Sequence, residues 1–437
     1  MGRPKLLIIS PAWDSGWWGG GKVLAPPLVL PLLAGLTPEG IDVSLVDENV
    51  ELVDINAQTD WVAITCMTAS APRAYEISDA FRKRGIPVVM GGIHPTVLLD
   101  EAALHTDAVV VGEAEPVWKE VIADLAGNRL KRRYQHNGFC ELVGLSLPCR
   151  ELLQIDRYLT INVVQTARGC PNACTFCSVS TVAGRRYRFR PIREVIDELL
   201  SLGGGWVGFV DDNITGNPNR AKELFEAMIP LRLRWVGQAD LNMAKDPELL
   251  ALAAKSGCHA LFVGLESISQ ENLRATHKAP NIGLDMAAAI RTIHKAGIEI
   301  IGSFVLGLDG DDSSVFPKTL EFAERNKLVA AQFSILTPFP GTVMREQLER
   351  EGRILHSDWS KYTMSNVVFR PRHMTDLELQ AGQKYVYGRF YSFPSILKRS
   401  LTFRKRLGLR LLVNLGYRGV RWDKGLPSGL PKHQDGH

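Results

Sequence analysis

The first 130 residues alternate short apolar, β-branched runs with stretches of helical character. KLLIIS (5–10), IDVSLVD (41–47), WVAITC (61–66), IPVVMGG (86–92) and DAVVVGE (107–113) predict strands buried on both faces. Ala71 to Arg84 and Glu115 to Leu125 suit crossover helices between them. The pattern predicts a doubly wound, Rossmann-like α/β domain over residues 1–130, with its ligand site at the carboxyl ends of the strands. Ser10, Thr65, Gly91, Gly92, Gly112 and Glu113 stand at those ends. Glycine there either lets the backbone approach a large ligand or makes an ordinary tight turn.

Residues 131–160 read as a linker, and a second βα alternation starts at Ile161. Strands are expected near 161–166, 206–210, 234–239, 260–265, 298–306 and 331–336. Helices are expected near 191–201, 219–228, 246–255, 283–296, 314–325 and 342–351. Six repeats over residues 161–355 fall short of a closed eightfold barrel and predict a partial (β/α)6 barrel of the TIM type. Residues 356–437 read as mainly helical. Within them Phe403, Leu407, Leu411 and Leu415 recur every four residues, with Arg404, Lys405, Arg406 and Arg410 on other faces. This spacing predicts a basic amphipathic helix, which either packs on its own protein or rests on an anionic membrane surface.

The 437 residues are enough for about three domains, and 45% hydrophobic with 22% charged residues is a globular composition. The net charge of +4 is too small for a general nucleic-acid binder. It is also uneven: nine Lys or Arg from Lys398 to Lys424 face a single acidic residue, Asp423. No run approaches the ~20 apolar residues of a membrane span and no signal peptide is visible, so a cytoplasmic protein is expected.

Seven cysteines are too few for a disulfide framework, and three of them fall together in Thr166-Ala167-Arg168-Gly169-Cys170-Pro171-Asn172-Ala173-Cys174-Thr175-Phe176-Cys177. A C-x3-C-x2-C loop directly after the first strand of the second array places three soft ligands at the top of a barrel. That set suits an iron–sulfur cluster. Structural zinc is the alternative, with Cys140, Cys149 or His136 as a fourth ligand, and three unrelated core cysteines are another.

On this loop the sequence resembles the radical S-adenosylmethionine (SAM) superfamily. The resemblance implies a 4Fe-4S cluster on Cys170, Cys174 and Cys177, with SAM on its open iron, cleaved to methionine and a deoxyadenosyl radical. Phe176 matches the aromatic position near the adenine. Asp211, Asp212 and Asn213 stand where the family places polar residues, although its Gly-Gly-Glu is absent. Gly264-Leu265-Glu266-Ser267 resembles the GxES element, which places Glu266 and Ser267 near SAM. The loops carrying Gly307 and Pro338 match those around the adenosine.

The amino-terminal domain is similar to the cobalamin-binding domain of the B12-dependent radical SAM subfamily. Val89 to Pro95, Val111 to Glu115, Pro26-Pro27 and Asp47 carry that similarity. The D-x-H-x-x-G sequence that supplies an axial histidine is missing, so no axial histidine is expected; His94 is the candidate that would overturn this. Trp13, Trp17 and Trp18 with Gly19 to Gly21 form an aromatic loop, to close over the corrin or to touch the barrel. The resemblance implies a methyltransferase acting at an unactivated carbon of a small-molecule, lipid or tetrapyrrole-like substrate, served by an external electron donor such as flavodoxin or ferredoxin. The alternative is a B12 radical SAM cyclase or rearrangement enzyme. A tRNA methylthiotransferase would need further cysteines in the first domain, which holds only Cys66, and a cobalamin sensor would leave the cysteine loop idle.

Overall fold

The computed structural model describes residues 2–13, 25–400 and 407–419. The first domain is a six-stranded, wholly parallel sheet. Its strands are β1 (Lys5–Ser10), β2 (Asp42–Asp47), β3 (Trp61–Thr65), β4 (Val88–Gly91), β5 (Ala108–Val111) and β6 (Arg133–Gln135), in the order β2-β1-β3-β4-β5-β6. Its helices are α1 (Val29–Leu36), α2 (Ala71–Lys83), α3 (Ile93–Val97), α4 (Leu99–Ala102) and α5 (Trp118–Ala126). Alternate residues of one strand serve opposite faces. Leu6 and Ile8 pack with Leu30, Val121 and Ile122, while Leu7 and Ile9 pack with Ala74, Ile77 and Phe81. Both faces are covered, which is why the strands read as unbroken apolar runs.

β6 corrects the expected linker. Residues 131–160 are not a free connection: Arg133–Gln135 adds a parallel strand beside β5, and Leu142, Leu153 and Tyr158 are buried. Tyr158 donates to Asp47 at 3.1 Å. A three-residue strand, RYQ, with one buried side chain carries too little apolar signal to be seen in sequence.

The second domain is another wholly parallel sheet of six strands. It consists of β7 (Val163–Val164), β10 (Trp206–Phe209), β11 (Arg234–Ala239), β12 (Cys258–Glu266), β13 (Glu299–Leu306) and β14 (Ala330–Ile335), paired strictly in chain order. β8 (Ala167–Arg168) and β9 (Arg188–Phe189) form a small antiparallel hairpin after β7. The helices are α6 (Val179–Val182), α7 (Ile192–Ser201), α8 (Pro218–Met228), α9 (Pro247–Lys255), α10 (Gln270–Ala275), α11 (Met286–Lys295), α12 (Val315–Arg325) and α13 (Val343–Arg350). Five of them start on a side-chain cap, from Asn217, Asp246, Ser269, Asp285 and Thr342. The pairing order, open between β7 and β14, is the expected partial (β/α)6 barrel.

α14 (Asp376–Phe390), α15 (Phe393–Ser400) and α16 (Leu407–Gly419) close the chain. The tail differs from its expected amphipathic pattern. Arg410 is buried and donates to both Glu299 oxygens at the base of β13, and Asn414, one turn on, donates to Val329 O at 2.9 Å. Leu415 of the expected apolar stripe is about half exposed. The inward face of α16 is therefore polar, because it meets backbone carbonyls and a buried carboxylate at the bottom of the barrel. Phe403 to Arg406, and the loop of Trp17, Trp18 and Gly19 to Gly21, lie outside the described residues.

Candidate functional site

The cysteine loop is built from the end of β7 outward. Asp211, at the end of β10 and fully buried, accepts the backbone N–H of Thr166 at 2.8 Å and that of Ala167, while its second oxygen has no partner. Burial pushes its carboxyl up to about 7. Asp212 accepts the N–H of Gly169 at 3.1 Å. Gly169 has φ +84°, and a Cβ there would stand 2.3 Å from Arg186 O, so only glycine makes the turn into Cys170. Beyond it, Thr175 N–H donates to Thr276 O at 3.1 Å and Met344 N–H to Thr175 O at 2.9 Å. The loop is thus pinned to the segments following β10, β12 and β14. Phe176 packs on the barrel core.

Cys170, Cys174 and Cys177 are half-buried and unpaired. Burial raises the Cys174 thiol to about 11, opposed by the ammonium of Lys278. Among the described residues no three His, Cys, Asp or Glu side chains stand in single-ion coordination geometry. Cys140 lies beside Glu113, Cys149 against Gly35, and His136 is exposed. Three free thiols on one loop, facing a cation, fit a polynuclear cluster with an open position.

Glu266 ends β12 with φ +62°, and its carboxylate meets Lys278 Nζ at 2.7 Å. Lys278 also faces Cys174 and Cys177, so it balances Glu266 and the thiols together. Ser267 lies 3.5 Å from Asn272 Nδ2. Asn272 in turn donates to Asp311 at 2.7 Å, and Asp311 accepts the N–H groups of Gly307 and Leu308 at 3.0 Å. This chain ties the loop after β12 to the loop after β13. The Gly307 N–H is thereby taken, and a Cβ on it would meet Leu379 at 2.6 Å; Pro338 is buried. Lys278, Asn272 and Asp311 carry no sequence signal of their own. Their roles arise where three loops meet. Beside the cysteine loop opens a cavity of about 340 Å³, lined by Asn172, Tyr187, Thr215, Asp240, Asn242 and Pro280 among others.

At the top of the first sheet Gly92 has φ +104°, with Cys66 O 2.7 Å from where its Cβ would be. Gly112 has φ +80° and open space at the same position. Ser10 and Thr65 are half-buried at their strand ends, and Gly91 sits against Val110. An open glycine edge of this kind fits a large planar ligand. His94 points away from it. Its ring is fully buried, with Nε2 3.1 Å from Tyr75 Oη and 3.2 Å from Glu101 Oε1, and it packs edge-on to Trp359. Asp47 is likewise enclosed, by Asn49 and Tyr158.

Glu113 does not face that edge. Its carboxylate joins the two domains, taking Arg168 at 2.9 Å, Arg188 at 2.8 and 2.9 Å, and the Cys140 N–H at 2.6 Å. Glu115 adds a second carboxylate to Arg168 at 2.5 Å. Higher up, Val97 of α3 lies against Gly341 and Thr181. The strand ends of the two sheets therefore meet across one cleft.

Two family models match in order along the chain: the B12 binding domain over residues 22–122 and the radical SAM superfamily over 164–323. Bacteriochlorophyllide d C-12(1)-methyltransferase of Chlorobaculum tepidum is 32% identical over 91% of this chain and 89% of its own length. The C-8(2)-methyltransferase of the same organism is 30% identical over 90% and 91%. The anaerobic magnesium-protoporphyrin IX monomethyl ester cyclase of Cereibacter sphaeroides is 28% identical over 96% and 77%. Among solved structures, the cobalamin-dependent SAM radical enzyme OxsB, with aqua-cobalamin and SAM bound, superposes with a TM-score of 0.69 at 14% identity, over 95% of this chain and 72% of that one. With both domains matched and methyltransferase relatives aligned along nearly the whole sequence, the chain belongs to the radical SAM superfamily, in its B12-binding branch, whose enzymes work with a 4Fe-4S cluster, SAM and cobalamin.

Proposed function

We propose that this enzyme transfers a methyl group to a carbon of a tetrapyrrole of the chlorophyllide type. The observation that carries the reading is the 32% identity, across both domains, to a bacteriochlorophyllide methyltransferase. Cys170, Cys174 and Cys177 would hold the cluster, and the edge formed by Ser10, Thr65, Gly91, Gly92 and Gly112 would receive the corrin. When bound, these groups supply reductive cleavage of SAM and a transferable methyl group. The chain's own part is placement. Asp212 and Gly169 aim the cysteine loop, Lys278 offsets the negative charge gathered there, and the Asn272–Asp311 chain fixes the rim of the barrel. Of the residues matched to SAM, Glu266, Ser267, Asp212 and Phe176 line this rim, whereas Asp211, Gly307 and Pro338 shape its floor from within.

No disulfide joins any of the seven cysteines, which supports a reducing cytoplasm, where flavodoxin or ferredoxin would supply electrons. No helix among the described residues is long and apolar enough to cross a membrane. The exposed Phe393, Leu397 and Leu415 support peripheral contact of the last helices with a lipid surface.

The test is anaerobic turnover of bacteriochlorophyllide d with reductant, cobalamin and methyl-deuterated SAM. Product carrying all three deuterons, with both S-adenosylhomocysteine and deoxyadenosine released, is the expected result. The cyclase relative favours a second reading, in which a magnesium-protoporphyrin ester yields deoxyadenosine without S-adenosylhomocysteine and without label in product. That outcome would overturn methyl transfer and leave the cofactor assignment intact.

A further inference from the structure

Arg168 sits two residues before Cys170, on the hairpin that launches the cysteine loop. It is largely buried, and all its strong partners but one come from the first domain: Glu113 at 2.9 Å, Glu115 at 2.5 Å and, from its own hairpin, Gln165 at 2.7 Å. Arg188, directly opposite Arg168 in the hairpin register, reaches the same Glu113 with two nitrogens and also donates to Ala183 O, just short of the Gly184 carbonyl that holds the Cys170 N–H. Glu113 follows Gly112 directly, and Glu115 two residues later, where β5 ends in the open glycine edge. This four-membered cluster therefore lies one residue from Gly112 on one side and two residues from Cys170 on the other, between the two places proposed above to hold the cofactors.

Buried charges of this kind are costly unless each finds its partner, and breaking one pair leaves a carboxylate or guanidinium stranded. The hairpin can hold its arrangement at full strength only while the end of β5 holds its own. We propose that Glu113, Glu115, Arg168 and Arg188 are positioning residues that couple the two cofactor sites, so that filling one strengthens binding at the other. Thermodynamic linkage then requires the effect to be reciprocal. The inference rests on the cofactor reading above, and Glu115 is its cleanest probe because, among the described residues, its one ion-pair partner across the cleft is Arg168.

The test uses the full chain, with and without an anaerobically reconstituted cluster, and measures hydroxocobalamin affinity by equilibrium dialysis. In the unaltered protein the cluster-loaded form should bind about tenfold more tightly, within the usual range of coupling between sites. In Glu115→Gln the ratio should fall below about twofold while the affinity of the cluster-free form stays the same. Arg168→Gln, which removes the pairs to both Glu113 and Glu115, should lower the ratio at least as far as Glu115→Gln does, and adding Glu115→Gln to it should change nothing further, since the partner of Glu115 is already gone. Arg168→Lys, which keeps the charge and loses the fork, should retain an intermediate ratio.

A purely structural role would weaken both forms by one factor and leave the ratio untouched; that result, or a ratio of one in the unaltered protein, overturns the coupling. Absence of cobalamin binding in either form would instead overturn the cofactor reading. Should Glu115→Gln not fold, the Arg168→Lys ratio decides by itself.

Discussion

At the scale of single residues, the cysteine spacing was sufficient to single out three candidate cluster ligands, because three thiols within eight positions have few other uses, and the fold sets them on one loop facing Lys278. Replacing Cys170, Cys174 or Cys177 by Ala should abolish bound iron and SAM cleavage, while Cys140→Ala and Cys149→Ala leave the iron content of the purified protein unchanged. The residues that hold the loop were less legible. Asp211 matched a family position for cofactor contact, yet it is sealed beneath the loop as an acceptor for two backbone N–H groups. Its pKa near 7 in the fold, against 3.8 for an ordinary Asp, has a definite sign. Between these values the folded chain keeps a proton that the unfolded chain has lost, so stability falls as pH rises through the window and levels off above it. At about 1.4 kcal/mol per pH unit the effect amounts to a few kcal/mol. Thermal melts of the cluster-free protein from pH 4 to 8 should show this decline, and Asp211→Asn, which keeps the accepting oxygen, should flatten it.

Among elements, the parallel strands of both sheets were readable because each buries a continuous apolar run, and β1 occupies the very residues its pattern marks. β6 was not, and α16 was read with the wrong face inward. A four-residue apolar spacing reports which side chains are hydrophobic, whereas this helix docks on the Val329 and Arg399 carbonyls and on Glu299, which call for Arg410 and Asn414. Removing the cation alone should be severe: Arg410→Met leaves Glu299 buried and uncompensated, at about 3–5 kcal/mol. The double change with Glu299→Leu should recover most of that loss in the urea midpoint of the cluster-free protein. The β8–β9 hairpin offers a contrasting case. Gly169→Ala should leave the barrel folded by circular dichroism while the reconstituted iron content drops severalfold, since the strain falls on the approach to Cys170 and not on the core.

At the scale of the molecule, the two successive βα arrays followed from the alternation of apolar runs, but the joints between them did not, since nothing in a one-dimensional pattern pairs Glu113 with Arg168 or Glu101 with Trp359. The second joint centres on one carboxylate: the Trp359 indole N–H donates to Glu101 at 2.9 Å, beside the buried His94 and Tyr75. Trp359→Phe should lower stability by about 0.5–1.5 kcal/mol, the net worth of one hydrogen bond, because Glu101 keeps Tyr75 and His94 as partners, and leave the iron content unchanged. Iron loss in that variant would show that this joint, too, bears on the cysteine loop.

The gap in the barrel between β7 and β14 gives the contact of Val97 a mechanical meaning. Thr181 belongs to the segment after β7 and Gly341 to the segment after β14, and Val97 of the first domain touches both. The seam has no strand pairing, yet beyond the strands it is stitched directly, by Thr181 Oγ1 donating to Gly341 O at 2.9 Å and Met344 N–H to Thr175 O at 2.9 Å. Val97 packs onto that stitch, so the first domain rests on the very place where the two ends of the barrel are joined, and anything that parts those ends also removes the footing of its neighbour.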